Sequence, residues 1–242
     1  IEEPCMPIGM YEAYGHYLLE DLPSVWLVMQ LQQNDIKLLL PATYTDIPQV
    51  LLDMLAPFGK TKKDFIIAPT KLTFMKEYYV PSKMIMLCNY ANEKIIDIYK
   101  HIKIFYDSSL IGNKIYISRS STDKRKLINE SECERVFLEY GFDIISPEKY
   151  SFKDQVSIFS SATHIAGALG SGMHNDVFSM PQDNTKILYF SLYDKFQLYL
   201  TYPVLENSFC RTPSVIWGEQ AHDGWWIDLK VLKKYLDTWD KE

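Results

Sequence analysis

From residue 114 onward, short apolar runs alternate with amphipathic stretches, and this alternation restricts the fold more than any other feature of the chain. Runs at 114–118, 143–145, 164–168 and 186–189 are expected as strands, with helices at 130–140, 151–161 and 173–178 between them. Strands joined through helices need right-handed crossovers and so pair in parallel. Such a sheet binds ligands beyond the carboxyl ends of its strands. Arg119 and the turn Gly167-Ala-Leu-Gly170-Ser171-Gly172-Met173-His174-Asn175 both fall at strand ends of that kind.

The first half is less regular. Across 14–33, Tyr17, Leu18, Leu22, Val25, Trp26 and Met29 recur at helical spacing, and Pro23 must start or kink a turn there. A helix in this register puts His16 and Glu20 on one face. Strands follow at 36–40, 65–68 and 72–80. A helix at 48–58 has Pro48 in its first turn, and a longer one occupies 92–107. The polar link 107–113 is the natural divide, giving a first domain at 1–108 and a second at 109–242. An irregular, Trp-rich stretch at 210–226 leads into a closing helix at 227–239 that is able to pack back on the first domain.

Composition narrows the function. A chain of 242 residues with 47% hydrophobic and 23% charged residues suits a folded protein. Its net charge of -6, from 25 basic against 31 acidic residues, offers no field for holding nucleic acid. Cys5, Cys88, Cys133 and Cys210 are widely separated and lack zinc-ligand spacing, so they are expected to be reduced and mostly buried. No signal peptide and no apolar run of membrane-spanning length is visible, which points to the cytoplasm. The sequence begins without Met, so an upstream anchor would go unseen and peripheral membrane association at the inner face stays open. Oligomeric state is not legible.

Three constellations bear chemistry. The glycine turn between strand and helix could hold a phosphate on free amides, although its G-x-x-G-x-G spacing is neither a Rossmann fingerprint nor a P-loop and equally suits a plain structural turn. The run Arg119-Ser120-Ser121-Thr122-Asp123-Lys124-Arg125-Lys126 gathers cations and hydroxyls suited to phosphate, or forms a solvated loop. Asn129 and Glu130 follow at a helix start, where capping suffices to explain Asn129. In the first half, His16, Glu20 and Asp21 could deprotonate an acceptor hydroxyl, or form a surface pair. Trp217, Trp225 and Trp226, beside His222 and Asp223, could stack on a sugar or base, with core packing the commoner role for such residues. D-x-D is absent, so no metal or other cofactor is expected.

Four ordered blocks together resemble glycosyltransferase family 61: Gly15-His-Tyr-Leu-Leu-Glu-Asp-Leu-Pro23, Ile115-Tyr-Ile-Ser-Arg119-Ser120 with Arg125-Lys-Leu-Ile-Asn129-Glu130, Phe152-Lys-Asp-Gln155-Val156, and Ile165 to Asn175. The resemblance implies a bacterial capsule or surface-polysaccharide enzyme of GT-B architecture, with two Rossmann-like domains facing a cleft and a short first domain. It implies inverting, metal-independent transfer from a nucleotide-sugar donor to a glycan or glycolipid acceptor. Glu20 is the expected base, with His16 supporting it and Asp21 as competitor. Arg119, Ser120, Arg125, Asn129, Glu130 and Gly170 through Asn175 are expected to bind the donor. The family's glycine block carries His where this chain has Leu169, which leaves an inactive nucleotide-binding scaffold of a polysaccharide assembly complex as the alternative. A dinucleotide oxidoreductase would need the fingerprint that is missing.

Overall fold

A computed structural model describes residues 1–30, 35–86, 89–106, 113–121, 126–180, 184–193 and 201–239. Two parallel sheets organise a mixed α/β fold. In the first half, β1 (Cys5–Pro7) leads to helix α1 (Tyr14–His16), a π turn (Tyr17–Asp21) and helix α2 (Leu22–Gln30). Then come β2 (Lys37–Leu40), α3 (Gln49–Leu55), β3 (Phe65–Ile67), the pair β4 (Ile85–Met86) and β5 (Tyr90–Ala91), and α4 (Ile95–Tyr106). Strands β1, β2 and β3 form a parallel sheet in that order.

The second half follows the expected alternation: β6 (Lys114–Ile117), α5 (Glu130–Glu139), β7 (Asp143–Ile145), α6 (Phe152–Ser161), β8 (His164–Ala168), a 3-10 segment (Ser171–Phe178) and β9 (Lys186–Leu192). It continues with α7 (Thr201–Ser208), β10 (Ser214–Ala221), β11 (Gly224–Trp226) and α8 (Leu229–Trp239). The sheet order is β11-β10-β9-β8-β6-β7, with only β11 antiparallel to its neighbour. The chain moves from β6 to β7 on one side and then crosses to β8 on the other. The switch point therefore lies between β6 and β8, where such sheets leave a crevice.

One face of this sheet joins the first half in a common core. Leu18, Ile98, Tyr99 and Ile102 pack with Ile117, Phe159, Phe178 and Tyr189, and the Tyr99 ring meets Phe178 edge to face. The other face is closed by α5 and by α8, whose Leu232, Leu236 and Trp239 join Phe137 and Phe142. The Trp239 and Phe142 rings stack with centroids 5.7 Å apart. The closing helix thus packs on the second sheet, on the face away from the first-half core. No helix among the described residues is long and apolar enough to cross a membrane.

The structure corrects several local expectations. Segment 72–80 is not a strand: it makes one bridge to β1, and Leu72, Phe74 and Val80 are exposed. Segment 173–178 belongs to a tighter 3-10 run that starts at Ser171. The stretch taken as irregular holds β10 and β11, which turn at His222 and Asp223. Helix α7, unforeseen, lies between them and β9. Cys5 and Cys133 are buried and free as expected, but Cys210 is exposed, and Cys88 lies outside the described residues along with the interdomain link at 107–112.

Candidate active site

A cleft of about 430 Å3 opens at the switch point. Strand β6 delivers Ile117, Ser118 and Arg119, and the chain after β8 delivers Ser171, Gly172, Met173 and Asn175. Pro147, Glu148 and Gln155 close one wall, and Tyr14 from the first half closes another. Glu130 accepts the Arg119 N–H at 3.0 Å and the Tyr116 hydroxyl at 2.9 Å, so it braces the end of β6 from beneath. Burial raises its carboxyl above the usual range, against the pull of those hydrogen bonds. Ser118, bonded to Glu134 and Ser120, shapes the same strand end. Asn129 begins α5 but does not cap it with its side chain, which instead exchanges two hydrogen bonds with the Ile227 backbone at 2.8 and 3.1 Å.

Asn175 is fully buried and ties the walls together. Its amide donates to Gln155 Oε1 at 2.9 Å and to the Gly172 carbonyl, while its own oxygen accepts the Tyr14 hydroxyl. Behind the glycine turn, the Tyr202 hydroxyl accepts from Gly170 N–H at 2.8 Å and lies 2.6 Å from its carbonyl. The Tyr202 ring stacks on His174 with centroids 5.0 Å apart. Met173 is buried beneath the turn, and Leu169 faces a different, rearward cavity.

The first expected block meets this turn directly. A Cβ on Gly15 would lie 2.7 Å from His174 Cδ2 and 3.4 Å from Ser171 Oγ, so the absence of a side chain lets the two segments touch. Pro23 has no N–H for the carbonyl four residues back, and the chain widens by one residue: Leu22 N–H reaches the Tyr17 carbonyl in a π turn. That turn carries Glu20 and Asp21, and His16 directly precedes it. His16 Nδ1 lies 2.5 Å from Glu20 Oε2, and Lys83 Nζ donates to Glu20 Oε1 at 2.7 Å. Burial would raise the Glu20 carboxyl, but the hydrogen bonds from Lys83 and His16 outweigh it and hold the group below its usual range. Asp21 behaves oppositely: burial, the dominant cause, pushes it up to about 6 despite the hydrogen bond from Gly9 N–H at 2.9 Å. The His16 ring also stacks on Tyr11.

The structure therefore brings Arg119, Ser171, Gly172, Met173 and Asn175 to one cleft and sets Gly15 against its lip. Asn129 and Glu130 act one layer beneath, and Arg125 lies outside the described residues. Sequence reasoning missed Tyr14, Lys83, Glu148 and Tyr202. Ile117, Ser118 and Gln155 carried a signal as parts of quoted blocks. Among the described residues, no group of three or more His, Cys, Asp or Glu could hold a metal ion.

A mostly parallel sheet with helices on both faces and a cleft at its switch point is a doubly wound α/β arrangement, the kind of sheet in which that crevice commonly receives ligands. The pattern of the glycosyltransferase 61 family matches residues 14–188, and the chain belongs to that family. It is a glycosyltransferase. No curated protein matches it.

Proposed function

We propose that the chain transfers a sugar with inversion from a nucleotide-sugar to a glycan or glycolipid acceptor, in a GT-B-like arrangement whose second unit holds the nucleotide. The observation that carries this reading is the meeting of Arg119 and the glycine turn at the switch-point cleft, with the His16 segment against its rim. Arg119 and the amides at the start of the 3-10 segment would stabilise the charge of the departing phosphate, a role consistent with the missing D-x-D motif and with metal-independent transfer. A surface polysaccharide of a bacterium, such as capsule or lipopolysaccharide, is the acceptor class that the resemblance favours, with the enzyme in the cytoplasm at the inner membrane face.

At the π turn and the residue before it, the geometry favours His16 as base over Glu20. Both Glu20 oxygens are engaged, and the carboxylate's lowered basicity disfavours it as a proton acceptor. With Nδ1 held by Glu20, the His16 Nε2 is left for the substrate. The acceptor O–H proton passes to Nε2 as that oxygen bonds to the anomeric carbon, and the bond from that carbon to the phosphate oxygen breaks. Glu20 and Lys83 are then positioning residues. His16→Ala should lower kcat by about 10²- to 10⁴-fold with little change in donor KM, whereas Glu20→Gln should cost less and shift the pH profile. Equal kcat in His16→Ala and wild type would overturn the assignment.

The donor site is tested by thermal stabilisation with UDP-, GDP-, dTDP- and CMP-sugars. At least one should stabilise wild type and lose its effect in Arg119→Ala. Stabilisation with no turnover of any donor would favour the inactive scaffold, the reading suggested by Leu169.

A further inference from the structure

A second cavity, of about 250 Å3, lies two strands away from the cleft across the same sheet, between the ends of β9 and β10 and helix α7. Its floor is Tyr189, Ser191 and Val215, and Tyr202 walls it off from the glycine turn. The next position on that face along β10 is Trp217, and Tyr193 follows directly after the end of β9. Both are exposed, at 79% and 42%, and their rings meet edge to face with centroids 5.5 Å apart.

Strand alternation explains why one tryptophan is out while another is in. Ile216 and Trp225 enter the core behind the sheet, and Gly218 leaves space for the Trp225 ring, whose nearest atom would lie 2.4 Å from a Cβ there. Trp217, between Ile216 and Gly218, must point to the opposite face. The result is a corner of two aromatic faces at the mouth of a cavity. Exposed Asn207 and Thr212 also line it, and neither side chain is hydrogen-bonded among the described residues.

These groups match a neutral sugar ring, whose C–H face packs on aromatic surface while its hydroxyls need amide and hydroxyl partners. They do not match a phosphate. The cation among the described lining residues, Arg211, is clamped by Glu206 through two bonds of 2.8 and 2.7 Å, so among the described residues no uncompensated positive charge faces the space. Trp217 pairs with Ser191, one residue past the level at which Phe190 pairs with Ala168 of the cleft. Two strand spacings, roughly 10 Å, separate β8 from β10, within reach of a short saccharide. Tyr202 stacks on His174, which touches Gly15 next to His16, so the cavity and the acceptor-activating segment flank the same glycine turn.

We propose that this cavity and its Trp217–Tyr193 corner form an acceptor subsite that holds a neutral saccharide unit distant from the one receiving the new sugar. The proposal rests on the donor occupying the switch-point cleft. Its test is binding of the full chain to an array of immobilised oligosaccharides. Wild type should bind a subset, saturating UDP should not displace them, and Trp217→Ala should weaken the signal at least tenfold while Trp217→Phe retains it. Tyr193→Ala, on a residue exposed enough to change without unfolding, should weaken the signal as well and guards against a folding defect in Trp217→Ala. Absence of any bound oligosaccharide, a signal unchanged in both alanine variants, or loss of nucleotide stabilisation in Trp217→Ala would overturn the proposal. Failure of the donor reading shows separately, as nucleotide stabilisation that survives Arg119→Ala.

Discussion

Asp21 adjoins Glu20, yet the two carboxyls are pushed in opposite directions. Glu20 has two donors, Lys83 and His16, to offset burial, whereas Asp21 has only the Gly9 amide directly bonded to it, with Glu20 adding repulsion. Its folded pKa of about 6 exceeds the unfolded value near 3.8. Protonated Asp21 therefore favours the folded state, fully so below about pH 4, and that contribution is lost as pH rises through about 6. Asp21→Asn, which cannot ionise, should be more stable than wild type at pH 8 by on the order of 1–2 kcal/mol and no more stable at pH 4. Thermal melts at the two pH values check this, and an equal gain at both would contradict it. The His16–Glu20 pair was legible in the sequence because four-residue spacing on a helix brings side chains together. Lys83 was not, since it reaches Glu20 from 63 residues away by tertiary folding alone. Asn129 misled for a related reason: its position predicts a cap, but a partner 98 residues on takes both ends of its amide.

At the scale of elements, strands and helices with strong periodicity were readable, and those shaped by their neighbours were not. The alternation over 114–189 made the parallel sheet readable because β6, β8 and β9 are buried along nearly their whole length and so are mostly apolar. Strand β10 escaped notice because it lies toward the sheet's edge, with Glu219 and Gln220 exposed, and lacks a continuous apolar run. Segment 72–80 has strand-like composition but meets only the edge of β1, so its apolar side chains stay outside. Pro23 was correctly seen as a break, though the π turn it produces was not foreseen. Pro23→Ala restores the missing N–H and should let the segment relax to regular α-helix, rotating His16 away from its partners. We expect a melting temperature equal to or above that of wild type with kcat at least tenfold lower, and full activity would show that the wide turn is dispensable. In the second half, Tyr202→Phe removes the hydroxyl shared by both backbone groups of Gly170 and leaves them buried without it. It should cost about 1–3 kcal/mol of stability and raise the donor KM, which steady-state kinetics and denaturant titration can follow.

On the scale of the whole molecule, the two halves are joined by shared side chains as well as by sequence. Tyr14 bonds Asn175, Tyr99 packs on Phe178, and α4 lies against α6. Heat should therefore unfold the chain in one cooperative step. Far-UV circular dichroism and tryptophan fluorescence should give coincident midpoints, with Trp26 reporting on the first half and Trp225 and Trp239 on the second. Two separated midpoints would mean that the halves are independent units. The contact between Gly15 and His174 also bears on how this chain can vary. Nearly any replacement at position 15 drives a new atom to within 2.7 Å of an imidazole carbon and wedges the halves apart. In a saturation library selected for activity, position 15 should tolerate almost nothing, while its neighbour Ala13, exposed and without side-chain partners, should accept most residues.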